Sequence, residues 1–341
     1  MTLAQQLASV GERWPWPDFM TRAAISSMVG KTERRLSGEP EGSSAVFAKD
    51  MKRFPIALHT DAANAQHYEV PPEFFKLVLG PRLKYSSAFF ETGHESLGEA
   101  EVIALSKTAD NAALADGQHI LELGCGWGSL SLWMAEHFPK SRITAVSNSS
   151  LQRAHIEGEA KQRGLKNLRV ITSDMNGFTP GQTFHRIVSV EMFEHMSNWP
   201  ALLARLRTWL KPKGRVLIHV FTHRSSPYRF DHTNPEDWIA AHFFTGGIMP
   251  SHSLMRECRD DFEVEAEWQW NGGNYQRTAD FWLTNFDARR TEVDVVLSDT
   301  YGKDAALWRR RWRLFFLATA GLFGHSDGKC WGISQYRLKP V

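Results

Sequence analysis

The stretch Ile120-Leu121-Glu122-Leu123-Gly124-Cys125-Gly126-Trp127-Gly128-Ser129 limits what this chain can fold into more than any other. Residues 119–123 form a short apolar run that reads as a buried strand. The run breaks into Gly124-x-Gly126-x-Gly128, and apolar residues at helical spacing follow over 130–137. The unit is therefore a strand, a glycine turn and a helix start. Glycine admits positive φ and lets a ligand approach the main chain, and a helix start offers unpaired N–H groups. In an open parallel sheet such a turn lies outside the carboxyl ends of the strands, where ligands bind. The dinucleotide pattern G-x-G-x-x-G is absent, because Ser129 stands where its last glycine would be.

Strand and helix patterns alternate beyond this point. Strands are expected at 118–123, 142–146, 168–172, 185–190 and 215–221, with helices at 128–138, 151–163 and 199–210 between them. This alternation predicts an α/β fold with a doubly wound parallel sheet. Lys211-Pro212-Lys213-Gly214 reads as a turn. Further expected elements are a strand at 262–270, helices at 278–286 and 291–322, and a terminal strand at 331–338. Upstream, helical spacing covers 21–36, a Gly/Ser/Pro/Glu-rich connector covers 37–44, and helices are expected at 73–79 and 96–108. The predicted organisation is an N-terminal helical region over 1–60 and a catalytic domain over 61–341. Lid insertions are expected at about 222–260 and 278–325.

The 341 residues carry 40 basic and 38 acidic side chains, a net charge of +2. Nothing in that balance favours nucleic acid, and no N-P-P-Y-type tetrapeptide for flipped-base chemistry is present. The three cysteines, Cys125, Cys258 and Cys330, are far apart and form no C-x-x-C, so neither a zinc site nor a disulfide framework is suggested. No signal-peptide pattern opens the chain. The longest apolar run, 314–323, is too short to span a bilayer. These features fit a cytoplasmic protein, and a homodimer is compatible with them.

With Glu122 two residues before the first glycine, E-x-G-x-G-x-G resembles motif I of class I S-adenosylmethionine-dependent methyltransferases. Those enzymes share a Rossmann-like seven-stranded sheet. There the loop wraps the methionine part of the cofactor, and the last strand is inserted antiparallel beside the sixth. The set His67-Tyr68, Glu73-Phe74-Phe75 and Lys84-Tyr85-Ser86 resembles the entry segment of the cyclopropane fatty acid synthase and coclaurine N-methyltransferase group. The resemblance implies that Tyr85 and Ser86 touch the carboxylate end of S-adenosyl-L-methionine. Most methyltransferases place an acid after the second strand for the ribose hydroxyls. Here Ser147, Asn148 and Gln152 stand instead, as in that same group, and such groups can bond diol oxygens. Asp174, after the third strand, can accept from the adenine amino group, with Met175 beside the ring.

After the fourth strand comes Glu191-Met192-Phe193-Glu194-His195-Met196. Three ionisable groups at one strand end are costly to bury unless paired or used. The stretch resembles the E-M-F-E-H-M segment of coclaurine-type N-methyltransferases, whereas cyclopropane synthases have Gly where Glu191 stands. Methyl transfer to an amine requires an unprotonated nitrogen, and a carboxylate–imidazole pair can orient the amine and take its proton. The resemblance assigns that role to Glu194 and His195, with Glu191 holding the ammonium or ordering His195.

The alternative is methylation of an unsaturated lipid, in which bicarbonate takes the proton from a cationic intermediate. By position, the bicarbonate ligands of the synthases would be Ser87 (for their Cys), Glu194, His219 and Tyr275. A Glu at 191 crowds and charges that site. The expected acceptor is therefore a small, aromatic or alkaloid-like amine, with membrane lipid a partner only under the alternative. Phe89, Phe230, Trp238, Phe243, Phe244 and Trp331 are candidates for shaping the acceptor pocket. A non-catalytic scaffold is the third reading, and the intact glycine loop argues against it.

Overall fold

The computed structural model describes residues 16–58, 70–234 and 237–341. His67 and Tyr68 of the entry segment lie outside these residues. Two helices come first, α1 (Asp18–Ser37) and α2 (Ser43–Met51), followed by α3 (Pro72–Val78) and α4 (Leu97–Asn111). The sheet then begins with β1 (His119–Leu123), α5 (Ser129–His137), β2 (Arg142–Ser147), α6 (Ser150–Gln162), β3 (Leu168–Thr172), β4 (Phe184–Val190), α7 (Trp199–Thr208) and β5 (Leu210–His223). A ribbon of β6 (Tyr228–Arg229) and β7 (Ile248–Met249), with α8 (Trp238–His242) within it, and then α9 (Leu254–Glu257) interrupt the alternation. The chain closes with β8 (Phe262–Asn271), α10 (Gly273–Ala288), α11 (Arg290–Tyr301), α12 (Ala305–Phe323) and β9 (Trp331–Pro340).

The seven-stranded sheet has the order β3-β2-β1-β4-β5-β9-β8. The first five strands are parallel, and β9 lies antiparallel between β5 and β8. This is the predicted class I methyltransferase sheet. The order reverses at β1, so the glycine turn after β1 opens at the switch point where such sheets bind ligands. β1 and β2 are buried on both faces, which explains their continuous apolar character.

Local chemistry sets most boundaries. Ser96 caps α4 with a reciprocal Glu99 contact, a capping box. Ser149 and Asn198 cap α6 and α7 by accepting from Gln152 N and Ala201 N.

Two expectations are corrected. The connector expected over 37–44 is shorter, spanning 38–42, because α2 already begins at Ser43, where packing against α9 supplies what its short sequence lacks. The Lys211–Gly214 turn is absorbed into β5 as an irregularity, with Lys213 at φ 62° and a register shift against β4. The helical stretch expected over 291–322 divides into α11 and α12 at the point where Gly302 takes φ 53°. An aromatic core joins α3, α10 and α12, in which Trp312 meets Phe74 at 4.7 Å and Phe243 meets Phe315 at 4.5 Å between ring centres. This layer roofs the carboxyl ends of the strands.

Candidate active site

A single cavity gathers the carboxyl ends of β1 to β5. Its walls include Tyr85 and Ser86, Glu122, Gly124 to Trp127, Ser147, Asn148, Gln152, Asp174, Met175, Glu191 and His195. Phe221, Phe244, Tyr275 and Phe315 complete the roofed end.

The three loop glycines all have positive φ but do different work. A Cβ on Gly124 would lie 2.5 Å from Met192, and one on Gly128 would lie 2.6 Å from Ile156. Both are therefore forced by packing, and Gly128 does not line the cavity. Gly126 meets nothing within 4 Å and opens onto the cavity, so a side chain there would occupy ligand space. Next to it, the indole N–H of buried Trp127 and the hydroxyl of Ser129 have no hydrogen-bond partner among the described residues. Buried unpaired donors at a cavity wall are costly unless a ligand satisfies them.

The polar ends of β1 and β2 are ordered from behind. Ser131 donates to Glu122 Oε2, and burial pushes that carboxyl up to about 8. Ser147 Oγ donates to Gln152 Oε1 at 2.6 Å, which leaves the Gln152 NH2 as its donor end. Asp174 accepts from Asn176 N at 2.6 Å, and Asn176 exchanges two bonds with the Ala57 backbone across the cavity edge. Buried Lys84 donates to Ser86 Oγ and to Ser87 O (2.7 Å), and burial pushes its ammonium down to about 8. With its oxygen held by Lys84, Ser86 has its own hydrogen to offer an acceptor. The donor set, the open glycine and the unpaired indole together fit an adenosylmethionine-sized ligand with a carboxylate and a diol.

At the end of β4 the chain turns sharply. Glu191 adopts φ 48°, an uncommon conformation for a non-glycine residue, and its N–H donates to His219 O at 2.8 Å. The strained turn sends its carboxylate across to distant elements. Ser87 N donates to Oε1 at 3.0 Å, and Tyr275 Oη donates to Oε2 at 2.8 Å. His219 Nε2 stands 3.4 Å from Oε1. Residues 193–195 then form a single 3-10 turn. His195 lines the cavity and stacks on Phe244 at 4.7 Å.

The two glutamates are thus separated. Glu194 is fully buried, does not line the cavity, and accepts from Phe221 N at 2.6 Å. Burial, reinforced by Glu191, raises its carboxyl well above the usual range. The expected bicarbonate set is also rearranged. Ser87 turns its hydroxyl to Ala88 O and offers only its N–H. That N–H, the Tyr275 hydroxyl and His219 converge on the Glu191 carboxylate.

Among the proposed acceptor-pocket aromatics, Phe244 lines the cavity, whereas Phe243 and Trp331 are core residues. Phe89 packs edge-on to Trp270 at 4.9 Å. Phe230 and Trp238 belong to the layer behind. Phe221, Phe315 and Trp127 also line the cavity, and as apolar aromatics they carry no mark in the sequence that would point to it.

Residues 58–333 match the family model described as mycolic acid cyclopropane synthetase. The chain is 32% identical to (S)-coclaurine N-methyltransferase of Thalictrum flavum subsp. glaucum over 85% of this chain and 81% of that one. It is 26% identical to the cyclopropane-fatty-acyl-phospholipid synthase of Escherichia coli (strain K12), over 79% and 66% of the two chains. Among solved structures it is similar to coclaurine N-methyltransferase bound to N-methylheliamine and SAH, with a TM-score of 0.94 and 28% identity. That match covers 98% of this chain and 99% of the other. It shares the fold of the cyclopropane synthase MmaA2 from Mycobacterium tuberculosis at a TM-score of 0.70 and 22% identity, over 84% and 99% of the chains. Sheet order, cavity and similarity agree: the chain belongs to the mycolic acid cyclopropane synthetase family of S-adenosylmethionine-dependent methyltransferases.

Proposed function

We propose that this enzyme methylates the nitrogen of a small aromatic, alkaloid-like amine. The observation that carries the reading is the Glu191 carboxylate, anchored by Ser87 N, Tyr275 and His219 at the wall of a cavity roofed by Phe221, Phe244 and Phe315. A fixed carboxylate under aromatic faces is suited to an ammonium or amine, since both attract positive charge. The coclaurine, pavine and tetrahydroprotoberberine N-methyltransferases among its relatives support the same acceptor class.

Bound against the glycine loop, the cofactor supplies an electrophilic methyl group on a sulfonium. Tyr85, Ser86, Gln152, Trp127 and Asp174 would hold it. Glu191 orients the amine and, with His195, accepts its proton, so that a lone pair faces the methyl. Glu194 takes a supporting role in this division. As a buried acid whose neutral form burial favours, it holds the Phe221 N–H and fixes the 3-10 turn that carries His195.

The family and the Escherichia coli relative keep lipid cyclopropanation as the second reading. It is disfavoured because three of the groups expected to hold bicarbonate already serve a tethered carboxylate. A free anion there would have to displace a like charge.

Adenosylhomocysteine release in two panels tests the proposal. One panel holds arylalkylamines and tetrahydroisoquinolines, and the other holds vesicles of unsaturated phospholipid with and without bicarbonate. Turnover on amines, lost below the pH at which the acceptor protonates, is expected. Turnover on vesicles alone, helped by bicarbonate, would overturn it.

A further inference from the structure

A buried chain of polar side chains runs from Glu191 away from the cavity. His219 on β5 and Gln335 on β9 are register partners across the antiparallel pair, and neither is exposed. Gln335 Nε2 lies 2.8 Å from His219 Nδ1. The other end of that amide, Oε1, accepts from Asn111 Nδ2 at 2.6 Å, where α4 ends. His219 Nε2 faces Glu191 Oε1 at 3.4 Å and has no other polar partner among the described residues. Trp270 packs edge-on to the imidazole at 5.0 Å.

These contacts admit one self-consistent neutral arrangement. A carboxylate has no proton to give, so the imidazole nitrogen facing Glu191 must carry the hydrogen. Burial pushes the imidazole toward its neutral form, against the pull of Glu191 and with the help of Lys84, the charged groups that face it. A neutral imidazole with its hydrogen on Nε2 leaves a lone pair on Nδ1. That lone pair needs a donor, which is the NH2 of Gln335. The Gln335 carbonyl must then face a donor of its own, which is the Asn111 amide. Reversing any one amide would turn lone pair against lone pair at the next contact.

We propose that Gln335, oriented by Asn111, is a positioning residue that fixes the His219 tautomer and thereby holds the Glu191 carboxylate in place. The inference rests on the reading of Glu191 as the group that meets the amine. The imidazole supplies the third donor to that carboxylate, beside Ser87 N–H and Tyr275 O–H. It can do so only while Gln335 donates from behind. The inserted strand β9 therefore contributes to the site without touching the cavity.

Long-range proton–nitrogen correlation spectra of the full chain, labelled at histidine, report which ring nitrogen of His219 carries hydrogen. The His219 signal is assigned by its loss in His219→Gln. The wild type is expected to show hydrogen on Nε2. Asn111→Asp replaces the amide donor by acceptors at a half-buried site, so it draws the Gln335 NH2 toward itself. The expected result is transfer of the His219 hydrogen to Nδ1. A fall in kcat of about tenfold or more should accompany it, the direction seen when a catalytic histidine is held in the wrong tautomer, with the cofactor KM unchanged. Gln335→Glu presents an acceptor directly and should do the same. A wild-type spectrum with hydrogen on Nδ1 would overturn the relay. A tautomer reversed by Asn111→Asp with kcat intact would overturn the positioning role. The spectra need no substrate, so they judge the relay even where the amine panel fails.

Discussion

Tyr275 donates its phenolic hydrogen to Glu191 Oε2 at 2.8 Å, across 84 positions of sequence and from the helix that roofs the cavity. This bond ties the lid helix α10 to the end of β4. It makes the carboxylate part of a wall shared by three elements, with Ser87 supplying the third.

Glu191→Gln keeps the shape of that wall and removes its charge. Turnover on the best amine is expected to fall by about 10²- to 10⁴-fold, the usual contribution of a positioned acid or base. Titration calorimetry should find adenosylhomocysteine affinity unchanged. Tyr275→Phe removes one charged hydrogen bond and should cost about tenfold in kcat. Full activity in both variants would remove Glu191 from the chemistry.

Glu194 should respond in the opposite way. Burial raises its carboxyl well above the usual range and favours the neutral form, with which Glu194→Gln is close to isosteric and isoelectronic. The variant should fold with near wild-type stability and keep most of its activity. Glu194→Ala leaves Phe221 N–H unpaired and should destabilise the fold by about 1–3 kcal/mol. Loss of kcat in a well-folded Glu194→Gln protein would restore it as the proton acceptor.

The loop glycines separate folding from binding. In Gly128→Ala the new Cβ meets Ile156 at a positive φ, and a loss of about 2 kcal/mol or more is expected. Gly126→Ala carries only the conformational cost of about 1–2 kcal/mol, because nothing lies within 4 Å of its Cβ. It should nevertheless weaken adenosylhomocysteine binding more than Gly128→Ala does among folded protein. Thermal melts with and without ligand give both numbers.

Glu122 makes stability depend on pH. Burial holds its carboxyl up to about 8, against 4.5 for an unperturbed glutamate. Between those values the folded chain binds more protons than the unfolded chain, so stability falls as pH rises through the window. The slope from this group is at most about 1.4 kcal/mol per pH unit. Glu122→Gln should therefore gain on the wild type steadily between pH 5 and 8 in denaturant titrations of the ligand-free enzyme. A constant difference across that range would show that Glu122 ionises normally.

The strand–glycine–helix unit, the run of polar residues at successive strand ends and the E-M-F-E-H-M segment are legible in the amino-acid order alone. These are local: a glycine turn and a strand end are written in neighbouring residues, and periodicity locates the sheet. Which glutamate faces the cavity depends on how the folded chain turns at the end of β4. Glu191 and Glu194 look alike in sequence, yet the left-handed turn at Glu191 sends its carboxylate to Ser87, 104 positions away, and to Tyr275. Glu194 is turned into the core against Phe221 N. The same holds for Gln335 and Asn111, 224 positions apart, which meet because β9 inserts antiparallel beside β5 and brings Gln335 level with His219. Side-chain periodicity tells which residues leave the core face of a strand, but partners that arrive from other elements depend on how the whole sheet and its lid close.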